Sequence, residues 1–302
     1  MVHRRKAACE LKERKTKFVD IFRTTPVLTV CPNFYVLMHA NGCTFAPLCR
    51  YCYLKSSFWY LQKPRAFSNV EPLLREVSEW IAKDDLESYI LNAGNLSDSL
   101  TFEGPRPLAA SLVEVFRREA ESKDRRHVLL LVTKGGAREC EALLSTQPCR
   151  NVVISFSVNS PDAARRYEEG AAPVEERLDT ARRLRRQGWR VRMRIDPMIQ
   201  GEDYTWLIEE LRKLAPERLT LGSLRAEDNL LRSSDDELFS ALEDPKDKTK
   251  YARYPRDVRL ALYRQAVEAF SGVCPIGLCE ETRDVWDALG LDADARSCNC
   301  GS

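Results

Sequence analysis

The residues best suited to chemistry lie in one short segment. Residues 42–54 read GCTFAPLCRYCYL and place Cys43, Cys49 and Cys52 in a C-x5-C-x2-C spacing. Three thiolates on one loop suit a cuboidal 4Fe–4S cluster, because each can reach a different iron while the fourth iron is left without a protein ligand. Such an iron is reactive for the reason that catalytic metal sites keep one position open. The same thiols can instead hold zinc, with Cys31 or His39 as the fourth ligand. Three cysteines so close together argue against simple packing.

A second constellation lies near the C-terminus. Cys274, Cys279, Cys298 and Cys300 are spaced C-x4-C-x18-C-x-C. Four thiolates can hold a second iron–sulfur cluster or a zinc ion, and alternate residues of an extended chain can reach one site. The alternative is a tail of reduced thiols. Cys9, Cys140 and Cys149 are scattered and read as packing residues.

The elements that must position these groups alternate between strand and helix. Strands are predicted at residues 35–39 (YVLMH), 89–91, 128–133 (VLLLVT), 152–158 (VVISFSV), 191–195 and 219–224. Val70, Leu73, Leu74, Val77 and Ile81 recur at helical spacing, with Pro72 suited to a first turn. Further helices are predicted over residues 108–120, 137–144, 174–187, 204–214 and 256–270. The strands are short, apolar and rich in Val and Ile, as in a parallel sheet covered on both faces. Six β/α units imply a doubly wound sheet or a barrel. Residues 232–253 are polar, with Lys246, Lys248 and Lys250 after an acidic run, and read as a solvated loop or short helices.

Composition sets limits. At roughly 150 residues per domain, 302 residues make about two domains or one α/β barrel. Hydrophobic residues at 44% and charged residues at 30% allow a sizeable core and exclude global disorder. Lys+Arg of 47 against Asp+Glu of 45 leaves a net charge of +2, which argues against nucleic-acid binding by bulk charge. Local basic clusters occur at residues 4–6, 12–17, 117–118, 125–126 and 182–186. They read mainly as solvated faces, and the N-terminal ones are the better candidates for a phosphate contact. Only 3 His leave little room for a His-rich site. No apolar run is long enough for a membrane span. Residues 1–17 are charged, without the apolar stretch of a secretory signal. Eleven Cys without an export signal point to a reducing, cytoplasmic setting, where clustered thiols serve metals or redox chemistry.

A three-Cys loop after the first strand of a β/α series, with an aromatic between the last two Cys, resembles the radical S-adenosylmethionine (SAM) superfamily. The usual spacing there is C-x3-C-x2-C, so this chain carries two extra residues between Cys43 and Cys49. The runs CRYCYL, LLLVTKGG, VVISFSVNSPDAARRYEEG, RVRMRIDPMIQGED and LCEETRDVWDALGLD…CNC, in that order, resemble the spore photoproduct lyase family from about residue 42 to 300.

The resemblance implies an α/β fold, a partial (β/α)6 TIM-type barrel over residues 35–231. Residues 1–34 form an N-terminal extension, and residues 232–302 a C-terminal helical region with a Cys-rich tail. It implies a 4Fe–4S cluster on Cys43, Cys49 and Cys52 at the C-terminal ends of the strands. There SAM would be cleaved reductively to a 5′-deoxyadenosyl radical. It also implies an electron donor such as a flavodoxin or ferredoxin, and a DNA or nucleoside substrate. Tyr51 can pack on the adenine or simply pack the loop. Lys134, closing the third strand, can pair with the SAM carboxylate. Ser157 and Asn159 are candidate ribose or carboxylate contacts. Arg194, Asp196, Arg166 and Glu168 can bind SAM or substrate, or form structural ion pairs. Spore photoproduct lyases carry a further cysteine after the second strand that returns a hydrogen atom to the product radical; here the matching position is Asn95. Tyr53 is a candidate substitute, and Asp98 a candidate substrate or SAM contact. Three functions follow: a lyase-like radical SAM enzyme with a different substrate, a DNA-lesion lyase with a substitute donor, or a non-catalytic metal- or nucleic-acid-binding module.

Overall fold

The computed structural model describes residues 6–23, 28–31, 33–234, 237–243, 251–295 and 297–301. Arg4, Arg5, Lys246, Lys248 and Lys250 of the basic runs lie outside them. The predicted β/α alternation is present, and eight strands form the central sheet: β1 (Val19–Phe22), β2 (Phe34–Leu37), β3 (Ile90–Asn92), β4 (Val128–Thr133), β5 (Val152–Val158), β6 (Arg190–Met198), β7 (Leu219–Ser223) and β8 (Ile276–Leu278). Their spatial order runs β8-β7-β6-β5-β4-β3-β2-β1. β2 to β8 are parallel and β1 is antiparallel to β2. Among the described residues β1 and β8 do not pair, so the barrel is partial. Helices Val70–Ile81, Ala109–Phe116, Glu141–Leu144, Val174–Arg186, Thr205–Leu214 and Arg256–Phe270 occupy the six successive crossovers.

The two edge strands have no counterpart in the sequence reading. VDIF and IGL are too short to stand out by periodicity, and VDIF is also interrupted by an acidic residue. The first predicted strand ends at Leu37 rather than His39 because the chain turns there and sends the imidazole inward.

Successive strand side chains point to opposite faces, and the burial follows this period. Leu91, Leu129, Leu131, Ile154, Phe156, Val191, Met193 and Ile195 face the helices in the main core. Phe34, Val36, Ile90, Val128, Leu130 and Val153 form a separate inner cluster within the barrel. Burying each such side chain contributes about 1.5–3 kcal/mol. Toward the C-terminal ends of the strands the inner positions turn polar, at Asn92, Ser157, Arg194 and Asp196. Polar groups here mark the ligand-binding end of a parallel sheet.

The C-terminal tail is docked against the inner side of the barrel. A Cβ at Gly277 of β8 would lie 2.2 Å from Cys298 N, so only glycine permits the approach. Arg192 Nη1 donates to Asn299 O (2.7 Å) and Gly301 O (3.0 Å), and Arg218 Nη1 to Cys298 O (2.8 Å) and Gly301 O (3.0 Å). The N-terminal side is fastened by a small three-stranded sheet of Glu10–Lys12, Arg65–Phe67 and Ala40–Asn41 around the segment that carries the three cysteines.

Candidate active site

The three-Cys loop leaves Ala40–Asn41 through Gly42, whose φ of +82° is a left-handed conformation that glycine adopts freely. It ends in the short helix Leu54–Ser57, with Lys55 N donating to Cys52 O (3.1 Å). Its longer middle rests on the segment after β5. Arg50 N donates to Tyr167 O (2.8 Å), and the Arg50 guanidinium lies over the Tyr167 ring at 5.7 Å. A Cβ at Gly170 would lie 2.2 Å from Pro47 O and 2.7 Å from Ala46 N. The RRYEEG run thus forms the platform for the cysteine loop. Gly170→Ala must push the loop away by backbone displacement. The expected result is a folded protein whose iron content after anaerobic reconstitution falls at least about twofold, since removing the support of a metal ligand weakens metal affinity by roughly 10–100-fold. Iron equal to that of the unmodified chain would disprove the platform role.

Cys43, Cys49 and Cys52 together line a cavity of about 490 Å³ at the C-terminal ends of the strands. Burial raises all three thiol pKa values, that of Cys49 to about 12 against the opposing pull of Lys134. Tyr51, Tyr53, Asn95, Asp98, Lys134, Ser157, Arg194 and Asp196 line the same cavity. Among the described residues no group of three or more His, Cys, Asp or Glu converges on a single-ion position. A cuboidal cluster asks for a different arrangement, with thiols spread over separate irons.

His39 is committed elsewhere. It is buried, its Nε2 lies 3.1 Å from Ala93 O and 2.9 Å from Ser97 Oγ, and its Nδ1 accepts from Arg106 Nη2 (2.8 Å). Burial and the neighbouring Arg106 push its pKa down to about 3. The folded state therefore requires the neutral ring, and its contribution is complete above the unfolded pKa of about 6.5 and lost as pH falls towards 3. Urea unfolding should show stability falling by up to about 1.4 kcal/mol per pH unit from this group below a pH of about 6.5. His39→Gln should flatten that slope; an unchanged slope would contradict the assignment.

Lys134 and Tyr51 are held by one carboxylate. Glu168, 2% exposed, accepts from Lys134 Nζ (2.8 Å), Arg177 Nη1 (2.5 Å) and the Tyr51 hydroxyl. Burial alone would raise its pKa, but Arg177 and Lys134 hold it down to about 2. Lys134 Nζ also lies 5.5 Å from the centre of the Tyr51 ring. Asp98 pins the loop after β3 to the end of β4. Its Oδ1 accepts from Thr133 Oγ1 (2.9 Å) and Leu100 N (3.0 Å), and its Oδ2 from Lys134 N (2.7 Å). Tyr53 is 42% exposed, and its hydroxyl donates to Asn95 O.

The opposite wall carries two arginines and a thiol. Arg225 Nη1 lies 3.1 Å from Asp196 Oδ1, and its Nε donates to Glu280 Oε2 (2.8 Å). Arg194 also pairs with Asp196. Burial would raise the Asp196 pKa, but Arg225 and Arg194 hold it well below the ordinary carboxylate range. Cys279 Sγ accepts from Arg225 Nη2 (3.3 Å) and Arg194 Nη2 (3.5 Å). The buried Arg194 Nε has no hydrogen-bond partner among the described residues.

Several predicted site residues stand outside the cavity wall. Asn159 is fully buried and its amide is used in scaffolding: Nδ2 donates to Pro197 O (2.9 Å), while Oδ1 accepts from Ser160 N and Tyr204 Oη. Arg166 pairs with Glu202. Cys274 packs against the main core. The four C-terminal cysteines are therefore split, with Cys279 and Cys300 on the cavity wall beside Cys31, and Cys298 buried behind them. Sequence reasoning missed Arg225, although a charged residue just past an apolar strand was a usable signal. It also missed Arg177, which is indistinguishable in sequence from the other arginines of its helix and yet is 1% exposed.

A family profile described as spore photoproduct lyase matches residues 11–224. The spore photoproduct lyase of Clostridium acetobutylicum is 25% identical over 207 residues, covering 68% of this chain and 59% of the relative. That of Bacillus subtilis is 24% identical over 187 residues, covering 61% of this chain and 52% of the relative. The chain thus spans between half and three-fifths of these curated relatives. A solved spore photoproduct lyase complexed with dinucleoside spore photoproduct superposes with a TM-score of 0.71 at 18% identity, covering 89% of this chain and 81% of the other. A variant of that lyase with bound AdoMet and dinucleoside spore photoproduct gives a TM-score of 0.70. These likenesses show the partial-barrel fold. Among the described residues, no helix is long and apolar enough to cross a membrane.

Proposed function

The chain belongs to the spore photoproduct lyase family, and from that membership we propose that it is a radical SAM enzyme acting on a nucleoside or nucleic-acid substrate. The observation that carries the reading is the shared cavity. Three thiols of one loop face the polar strand ends of a partial barrel across a space of about 490 Å³. The donor set fits a 4Fe–4S cluster: soft sulfur ligands, three in number, on a loop fixed from both sides. Cys43, Cys49 and Cys52 would hold it. When bound, the cluster would supply one electron to SAM and so give access to radical chemistry at carbon.

The other residues bind and orient. Glu168 locks Lys134 and Tyr51 into one arrangement beside the cysteine loop, so the ammonium and the ring meet a ligand without further ordering cost. Asp98 holds the backbone at Lys134, which keeps the ends of β3 and β4 in register with the loop. Ser157 and Arg194 offer a hydroxyl and a guanidinium from β5 and β6, suited to the polar groups of SAM or substrate. The substrate class rests on the dinucleoside carried by the structural neighbours.

The deciding experiment is anaerobic reconstitution with iron and sulfide, followed by dithionite and SAM. Formation of 5′-deoxyadenosine is the expected outcome. A protein that takes up zinc in place of iron, or that leaves SAM intact, would sink the reading and favour a binding module.

A further inference from the structure

The cavity contains sulfur that the proposed cluster site does not use. Cys300 lies on its wall, and it arrives there on a tail beyond the span matched by the family profile. Its sulfur sits 3.7 Å from Asn92 Nδ2, at the end of β3, whose following loop carries Asn95 and Asp98. Cys300 also packs with the inner cluster, so the thiol is held at the boundary between the apolar floor and the open cavity. The placement is built. Arg192, 1% exposed on β6, and Arg218 fasten the backbone of residues 298–301 through four hydrogen bonds. Gly277 is the one residue type small enough to let the tail approach β8.

We propose that Cys300 is the hydrogen-atom donor to carbon radicals formed in this cavity. The inference rests on the radical SAM reading above. In the step, the Cys300 S–H bond breaks homolytically and a C–H bond forms at the radical carbon. Sulfur is left as a thiyl radical. One electron from the low-potential one-electron reductant that serves the cluster, with one proton from solvent, restores the thiol. The donor must carry its hydrogen, and burial together with Cys298 raises the Cys300 pKa to about 12, which keeps it protonated at neutral pH. Two other groups on the wall are already engaged. Cys279 sulfur is held by the guanidinium groups of Arg225 (3.3 Å) and Arg194 (3.5 Å). Burial and Asp196 raise its pKa too, so this engagement and not its charge state sets it apart. The Tyr53 hydroxyl is spent on Asn95 O.

The test needs no identified substrate. The full chain is reconstituted anaerobically, exchanged into D2O, and given dithionite and SAM alone; the 5′-deoxyadenosine is then analysed by mass spectrometry. The unmodified protein should return 5′-deoxyadenosine carrying one solvent-derived deuterium. Cys300→Ser should lower the deuterated fraction at least fivefold, while Cys279→Ser and Tyr53→Phe leave it within twofold. Iron and sulfide content of Cys300→Ser should equal that of the unmodified protein. An unchanged deuterated fraction in Cys300→Ser would overturn the proposal, as would an unlabelled product from the unmodified protein. Loss of iron in Cys300→Ser would make this residue a ligand instead. If the unmodified protein forms no 5′-deoxyadenosine, the functional reading itself fails, and the donor assignment with it.

Discussion

Replacing Cys43, Cys49 or Cys52 by Ala should abolish iron–sulfur binding and, with it, SAM cleavage. Each substitution leaves two thiols on the loop. His39, the candidate fourth ligand by sequence, has both ring nitrogens engaged with Ala93, Ser97 and Arg106. Changes to groups that merely support a metal ligand cost about 10–100-fold, so loss of a ligand itself should reduce 5′-deoxyadenosine formation by at least about 100-fold. Iron and sulfide analysis, with the visible absorption of the reconstituted protein, separates this from a folding defect. The thiols face the cavity rather than the main core, and the far-ultraviolet circular dichroism should be unchanged. Retention of iron and activity in any one of the three variants would remove that residue from the site.

Glu168→Gln should produce the largest loss of stability among the polar residues of the site. The carboxylate is surrounded by Lys134, Arg177 and Tyr51, and Arg177 is as buried as Glu168. Removing the charge strands Arg177 in a low-dielectric setting, and breaking a buried pair in this way costs about 3–5 kcal/mol. The lower midpoint in urea should be accompanied by weaker SAM binding, since Lys134 and Tyr51 lose their common anchor. In a double-mutant cycle with Arg177→Met, the double variant should be less destabilised than the sum of the two single changes. In that background the Glu168→Gln change no longer leaves a buried guanidinium unpaired. The pH dependence has a defined sign. The folded pKa of Glu168 is lowered to about 2, so its contribution is present above the unfolded carboxylate value of about 4.3 and lost as pH falls from there towards 2. A Glu168→Gln protein as stable as the unmodified chain at neutral pH would show that the pair is solvated.

Periodicity and residue type carried much of this architecture. The alternation of Val- and Ile-rich strands with amphipathic helices places six β/α units in order, because the hydrophobic period is a local property that survives without tertiary contacts. The C-x5-C-x2-C loop stands out for the same reason, since its three thiols are neighbours in sequence. Strand ends were legible too: Lys134, Ser157 and Arg194 close apolar runs, and a polar residue there faces the ligand end of the sheet. Asn159 also follows such a run, but it lies beyond the end of β5, where its amide fastens Pro197 and Tyr204 instead of reaching the cavity.

Tertiary structure alone decided everything that depends on residues distant in the chain. The RRYEEG run reads as ligand contacts or structural ion pairs, and only folding shows Tyr167 and Gly170 supporting the cysteine loop. Arg177 looks like one more solvated arginine until its helix turns it inward onto Glu168. The C-terminal cysteines read as one group by spacing, yet Cys274 packs in the core while Cys279 and Cys300 reach the cavity beside Cys31. Spacing reports which thiols are near along the chain. Which of them share a cavity is set by sheet order, by the buried arginines that fasten the tail, and by a glycine small enough to let it in.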